Sequence, residues 1–320
     1  MANTEQSFGA ASTTDDVLEG HDLTGTKVFV TGGNSGLGLE TARAMAAKGA
    51  HVILAARDQG KLDAAIAAIK EAQKDAKLET IICDLASLAS IKACGQEAAS
   101  RFEQIDLLIN NAGVMACPKM HTADGFEMQF GTNHLGHFAL TKHLMPLIER
   151  GANKRIVNLS SRGHHLAPTD LDDPNFETTD YDPWVSYGRA KTANVLFSVG
   201  LEKRFGAHGI HALAVHPGGI QTNLGRHLTQ DDIAALMERM KTNGGAMTFK
   251  TIPQGAATQV WAATSATLEG QGALYCEDCH VAARDDDSTA GGVRGYAIDP
   301  EIADALWALS EDMTGERFSA

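Results

Sequence analysis

Tyr187 and Lys191 stand four residues apart in Ser186-Tyr187-Gly188-Arg189-Ala190-Lys191. On a helix that spacing puts the phenol and the ammonium on one face, a turn apart. A phenol with an ordinary pKa of about 10 is a poor acid–base catalyst near neutrality. An ammonium beside it favours the phenolate and is expected to pull that pKa toward the working range. Such a pair suits proton transfer at an alcohol oxygen while a hydride moves at carbon. A site for a hydride carrier lies far upstream, in the glycine-rich turn Thr31-Gly32-Gly33-Asn34-Ser35-Gly36-Leu37-Gly38. Small residues let backbone approach a pyrophosphate, and the start of a following helix supplies unpaired N–H groups and a positive dipole. Gly32, Asn34, Ser35, Gly36, Leu37 and Gly38 are the candidate dinucleotide contacts. The strand before the turn and the helix after it separate this reading from an ordinary tight turn.

The elements that must position these groups are legible as alternating apolar runs and helix-like stretches. Lys27–Val30, His51–Ala55, Glu79–Cys83, Asp106–Ile109, Arg155–Leu159, Ala212–Val215 and Gly272–Tyr275 read as strands. Helices are expected over Leu37–Lys48, Lys61–Ala72, Ser90–Arg101 and Phe126–Ile148. Continuous apolar strands alternating with helices predict an α/β fold with a parallel sheet covered on both faces. Two stretches break the rhythm. His164–Pro183 is rich in proline and aspartate, and Thr222–Pro253 carries an amphipathic pattern near Asp231–Met240. Insertions on the carboxyl side of parallel strands are where such folds build substrate sites.

Composition bounds the partners. The chain has 320 residues, 43% of them hydrophobic, and a formal charge of −13. That charge argues against nucleic acid or an anionic membrane as partner. No apolar run is long enough to span a bilayer. Residues 1–23 read as a polar, flexible lead-in without a signal-peptide pattern, and residues 24–320 as one domain. Five scattered cysteines suit a reducing cytoplasm, where the protein is expected.

Thr31-Gly-x3-Gly-x-Gly38, Asn110-Asn111-Ala112-Gly113, Asn133, Ser160-Ser161, Tyr187-x3-Lys191 and Pro217-Gly218 occur in this order. Together they resemble the short-chain dehydrogenase/reductase family, and the likeness runs from about Thr24 to Tyr275. Within it, Arg155-Ile-Val-Asn-Leu-Ser-Ser, the long gap before Tyr187, and Ala190-Lys-Thr-Ala-Asn-Val-Leu-Phe resemble the retinol-dehydrogenase-like branch. The resemblance implies a single-domain, Rossmann-type doubly wound fold. It implies that Tyr187 is the acid–base group, with Lys191 lowering its pKa and binding the nicotinamide ribose. Ser161, the second serine of its pair, would polarise the carbonyl oxygen. Asn133 would hold a water linking the lysine to solvent, unless its side chain only bonds a neighbouring carbonyl. Asp84 and Leu85 would contact the adenine, with Asp84 also readable as a helix N-cap. Asn111, Ala112 and Gly113 would pass under the adenosine ribose, and Pro217, Gly218 and Thr222 would close over the nicotinamide. Relatives often pair through the helices bearing Asn133 and Tyr187, which leaves a homo-oligomer open.

The end of the second strand bears on the choice of nucleotide. Ala56 stands where NAD-specific relatives commonly carry an acid, and Arg57 follows. A missing carboxylate removes repulsion and a guanidinium can grip a 2′-phosphate, so NADP(H) is favoured, with NAD(H) left open. Cys276-Glu-Asp-Cys279-His280 matches a c-type haem attachment string. Without an export signal or a second ligand pair, neither haem nor a metal is expected, and the string reads as a strand end carrying reduced thiols. The expected activity is interconversion of a small-molecule ketone or aldehyde with its alcohol. Reduction of a conjugated C=C bond could use the same pair, and a non-catalytic nicotinamide sensor would tend to lose it.

Overall fold

The computed structural model describes residues 8–226 and 249–318. Its strands are β1 (Lys27–Thr31), β2 (His51–Ala56), β3 (Lys77–Ile82), β4 (Leu107–Asn110), β5 (Arg155–Leu159), β6 (His211–His216), β7 (Leu274–Glu277) and β8 (His280–Val281). They form one sheet in the order β3-β2-β1-β4-β5-β6-β7-β8. Every pairing is parallel except the last, where β7 and β8 make an antiparallel hairpin. The order reverses between β1 and β4, which opens a crevice at the carboxyl ends of those strands.

Strand residues alternate between two cores, because successive side chains leave opposite faces of a sheet. Val28, Val30, Val52 and Leu54 pack toward α2 (Gly36–Ala47), α3 (Gln59–Ala72) and, past the later insertion, α8 (Ile252–Thr264). Phe29, Ile53, Leu108 and Ile156 pack toward α4 (Leu88–Arg101), α6 (Gly136–Ile148) and α7 (Pro183–Phe205). Each large aliphatic side chain buried this way contributes about 1.5–3 kcal/mol. The final helix, α9 (Pro300–Thr314), lies against α7. Trp307 fits its ring among Phe138, Phe197 and Phe205.

Three features depart from the sequence expectations. The helix expected over Phe126–Ile148 starts as α5 (Met128–Phe130), widens to a π-turn over Gly131–Leu135, and continues as α6. Asn133 sits within that π-turn. The N-terminal lead-in is packed from residue 8 onward: α1 (Thr14–Val17) has a Thr13–Asp16 capping box, and Val17 and Leu18 are buried. The Cys-x-x-Cys-His string forms the β7–β8 hairpin, with Asp278 and Cys279 at φ 46° and 57° as its two turn residues. Positive φ at both positions is the twist that two-residue hairpins favour. All five cysteines are buried and free. The helix expected near Asp231–Met240 falls outside the described residues. No helix among the described residues is long and apolar enough to cross a membrane.

Candidate active site

Every strand of the parallel sheet from β1 to β6 ends at a segment carrying expected site residues. Gly32 follows β1, Arg57 follows β2, Asp84 and Leu85 follow β3, and Asn111–Gly113 follow β4. Ser160 and Ser161 follow β5, and Pro217–Thr222 follow β6. These segments line a single cleft of about 2360 Å³, which Tyr187 and Lys191 also reach from α7. That volume exceeds the about 300–1,000 Å³ of a drug-sized pocket and leaves room for a dinucleotide together with a substrate.

At the glycine-rich turn, Gly38 permits a close approach: a Cβ there would collide with the Gly32 carbonyl and sit 2.6 Å from Asn111 Nδ2. Gly32 itself holds φ +66°. Ser35 makes no side-chain capping bond to α2, whereas α3, α4, α7, α8 and α9 are each capped by a side chain. The first N–H groups of α2 are therefore left for an anion at the cleft, which fits a pyrophosphate. Arg57 is exposed on the cleft wall and makes no ion pair or hydrogen bond among the described residues. Asp84 turns its carboxylate onto the Ala86 N–H at 3.0 Å, and Ser87 is the N-cap of α4. The capping role considered for Asp84 thus belongs to Ser87.

Thr31 and His137, absent from the expected set, organise the floor. Thr31 Oγ1 accepts the N–H groups of Asn111 and Ala112 at 2.9 and 3.0 Å. The His137 Nδ1 donates to the Asn133 carbonyl at 2.9 Å, so Nε2 is free to accept from Thr31 Oγ1, also at 2.9 Å. Burial pushes His137 down to about 4, which keeps the ring neutral in that tautomer. Asn133 spends its carboxamide on Val114, donating to its carbonyl at 2.9 Å and accepting its N–H at 2.8 Å. This pins the loop after β4. The sequence signal was modest: His137 follows Asn133 by one helical turn.

Two glycines let the elements bearing Ser161 and Tyr187 meet. Gly163 lies in the 3₁₀ turn Arg162–Leu166, where a Cβ would come within 2.7 Å of Tyr187 Cε1 and 3.4 Å of Ser161 Oγ. Gly188 faces the same turn, with its Cβ position 2.9 Å from Leu166 Cβ and 3.0 Å from the Ala167 nitrogen. The 164–183 insertion folds back without separating them. Asp173 accepts from five donors on residues 177–179. Arg189 of α7 reaches Asp170 at 2.8 Å and lies over the Phe176 ring at 4.2 Å. Asp182 then caps α7, with Pro183 in its first turn.

Ser160 and Ser161 point apart, as expected at a strand end. Ser160 Oγ donates to the Lys191 carbonyl at 2.8 Å, while Ser161 stays on the cleft side next to Tyr187. Burial pushes the Tyr187 phenol up to about 12, and the Ser161 side chain draws it partway back. Burial lowers the Lys191 ammonium to about 7, and its Nζ sits 5.7 Å from the Tyr187 ring centroid. The expected pull of Lys191 on the phenol is therefore not what sets its acidity here; desolvation dominates both groups.

The short chain dehydrogenase family profile matches residues 26–172. The short-chain dehydrogenase/reductase prx1 of Penicillium roqueforti is 39% identical over 314 residues, covering 95% of this chain and 90% of the relative. Human retinol dehydrogenase 14 is 37% identical over 304 residues, covering 91% and 87%. The solved structure of an uncharacterized protein from Mycobacterium Paratuberculosis superposes with a TM-score of 0.72 at 34% identity, covering 98% of this chain and 99% of that one. With sheet order, cleft and relatives in agreement over nearly the whole length, the chain belongs to the short-chain dehydrogenase/reductase family.

Proposed function

We propose that the protein is an NADP(H)-dependent oxidoreductase that interconverts a ketone or aldehyde with its alcohol. The observation that carries this reading is the meeting of Ser161, Tyr187 and Lys191 in one cleft, despite the 164–183 insertion between them. A bound nicotinamide supplies or accepts the hydride. Tyr187 gives a proton to the carbonyl oxygen as it becomes an alkoxide, and takes it back in the reverse direction. Ser161 donates a hydrogen bond to the same oxygen. Lys191, held by burial near neutrality, passes protons toward the phenol and binds the ribose. Asn133 fixes the loop that passes under the cofactor. Arg57, without an ion pair among the described residues and preceded by Ala56 rather than an acid, supports NADP(H) over NAD(H).

The cleft is lined by apolar Met115, Met128, Leu166 and Trp184 together with polar Arg162 and His165, which supports a substrate carrying both an apolar body and polar groups. Free thiols at all five cysteines support a reducing cytoplasm. The test is a panel of ketones, aldehydes and secondary alcohols, followed by absorbance of the reduced nicotinamide with NADPH and NADH side by side. Turnover with NADPH is expected. Turnover confined to conjugated enones, with loss of the C=C bond, would replace this reading with the alkene reductase.

A further inference from the structure

The N-terminal segment is tied to both helices that border the pyrophosphate end of the cleft. Thr14 is fully buried and donates its hydroxyl to Glu40 of α2 at 2.5 Å. Arg43, also on α2, bridges Glu40 and Asp15 at 2.7 and 2.8 Å. Gln254, in the first turn of α8, donates to the Ala11 carbonyl at 3.2 Å. Phe8 packs against the core. Between these anchors Gly9–Ser12 forms a turn, closed by Ser12 N–H to the Gly9 carbonyl and Gly9 N–H to Ser12 Oγ, both 3.0 Å. That turn places Ala10 and Ala11 on the wall of the same cleft as Asn34, Ser35 and Gly36. Both alanines are exposed, and neither N–H finds an acceptor among the described residues.

We propose that the Gly9–Ser12 turn is a working part of the cofactor site, a strap that closes the cleft over the pyrophosphate of the dinucleotide. Packing accounts for the anchors on either side, Phe8 before the turn and Thr14 after it, but gives no reason for the exposed tip between them. Val17, Leu18 and Thr14 already anchor the segment, and exposed alanines add almost nothing to a core. What the turn does add is an edge on the cleft that the uncapped start of α2 also lines, with two backbone N–H groups that have no acceptor among the described residues. An anion bound there is shielded from water on one more side, which strengthens each hydrogen bond it accepts. The strap also explains why segment 8–18 grips α2 and α8 together: a closure over a ligand must be held by the elements that flank it.

This inference rests on the dinucleotide reading above, and charge at one exposed position tests it separately. Ala11→Asp and Ala11→Lys leave the core contacts intact, so the melting temperature is expected to stay at its wild-type value. The Kd of NADPH, read from its own fluorescence, is expected to rise about five- to tenfold in Ala11→Asp and to fall by a similar factor in Ala11→Lys. Both differences should shrink as salt is raised, because surface charges are screened. If the wild type binds NADPH while both Ala11 variants stay within about twofold of it, the strap is wrong and the segment only packs. If the wild type binds neither NADPH nor NADH, the dinucleotide reading fails and the strap falls with it.

Discussion

Lys191 Nζ donates to the carbonyl of Leu159, the last residue of β5, at 2.8 Å. The bond runs back across the strand–helix junction that Ser160 already crosses in the other direction, from its hydroxyl to the Lys191 carbonyl. Two opposed bonds lock the register of α7 against the end of β5. That lock, rather than a direct contact between Lys191 and the phenol, holds Tyr187 beside Ser161.

Lys191→Met should fold, because Asn194 Nδ2 also donates to the Leu159 carbonyl, at 2.9 Å, and keeps it satisfied. Turnover is expected to fall at least about 100-fold, with a higher KM for the nucleotide. The stability profile should change too. The native lysine sits near 7 while the unfolded one keeps its ordinary value near 10.5, so the unfolded chain holds an extra proton between them. Native stability therefore rises with pH across that window, and the variant should lack this part of the rise. Thermal melts from pH 7 to 10 that run parallel in both proteins would contradict the assignment.

Arg57→Ala should weaken NADPH about ten- to a hundredfold and leave NADH nearly unchanged, since one charge-assisted phosphate contact is lost. Adding Ala56→Asp should turn the preference toward NADH. Side-by-side kinetics in which the wild type already prefers NADH would remove Arg57 from the cofactor site.

Among the described residues, His134, His137 and His164 are buried and His216 is partly buried, and all four are held in their neutral form. Burial pushes His134, His164 and His216 down to about 3 and His137 to about 4. In the unfolded chain each titrates near 6.5, so that state takes up protons first as pH falls. Stability is full above about 6.5 and is lost progressively as pH falls from there toward about 3. His134→Leu should flatten part of that acid limb. Ser310, which His134 contacts at 2.8 Å, still donates to the Leu306 carbonyl at 2.7 Å. An unchanged fall in melting temperature between pH 7 and pH 5 would show that His134 does not contribute.

Gly163→Ala places a methyl where the Tyr187 ring lies, 2.7 Å from Cε1. The phenol must shift, so kcat is expected to drop tenfold or more, as misplacement of about 1 Å can cost about 100-fold. NADPH affinity should change little. An unaltered kcat would mean that the ring has freedom the packing does not suggest.

Much of this was legible in the sequence because the relevant signals are local. Arg155–Leu159 reads as a strand from its β-branched run, and the structure keeps those bounds. Ser161, Tyr187 and Lys191 stand out by type and spacing, and the fold brings them to one cleft. What escaped is tertiary. The π-turn at Asn133 changes the hydrogen-bond pattern without disturbing the helical apolar pattern. Helix α9 begins with an Asp299 cap and Pro300, which is a legible start, but its importance lies in Trp307 reaching Phe138 on a distant helix. The polar lead-in hides its anchor in Val17 and Leu18, two apolar residues among acids. The balance between burial and charge at Tyr187 depends on desolvation, which spacing on a helix does not reveal.

If Tyr187 carries the proton, Tyr187→Phe removes the transferable proton and little else. The phenyl ring still packs beside Gly163 and Trp184, so folding and NADPH binding should survive. The measurement is single-turnover hydride transfer from bound NADPH to a carbonyl that the wild type reduces. A loss of about 100-fold or more is expected at unchanged NADPH Kd. Retention of more than about a tenth of the wild-type rate would contradict it.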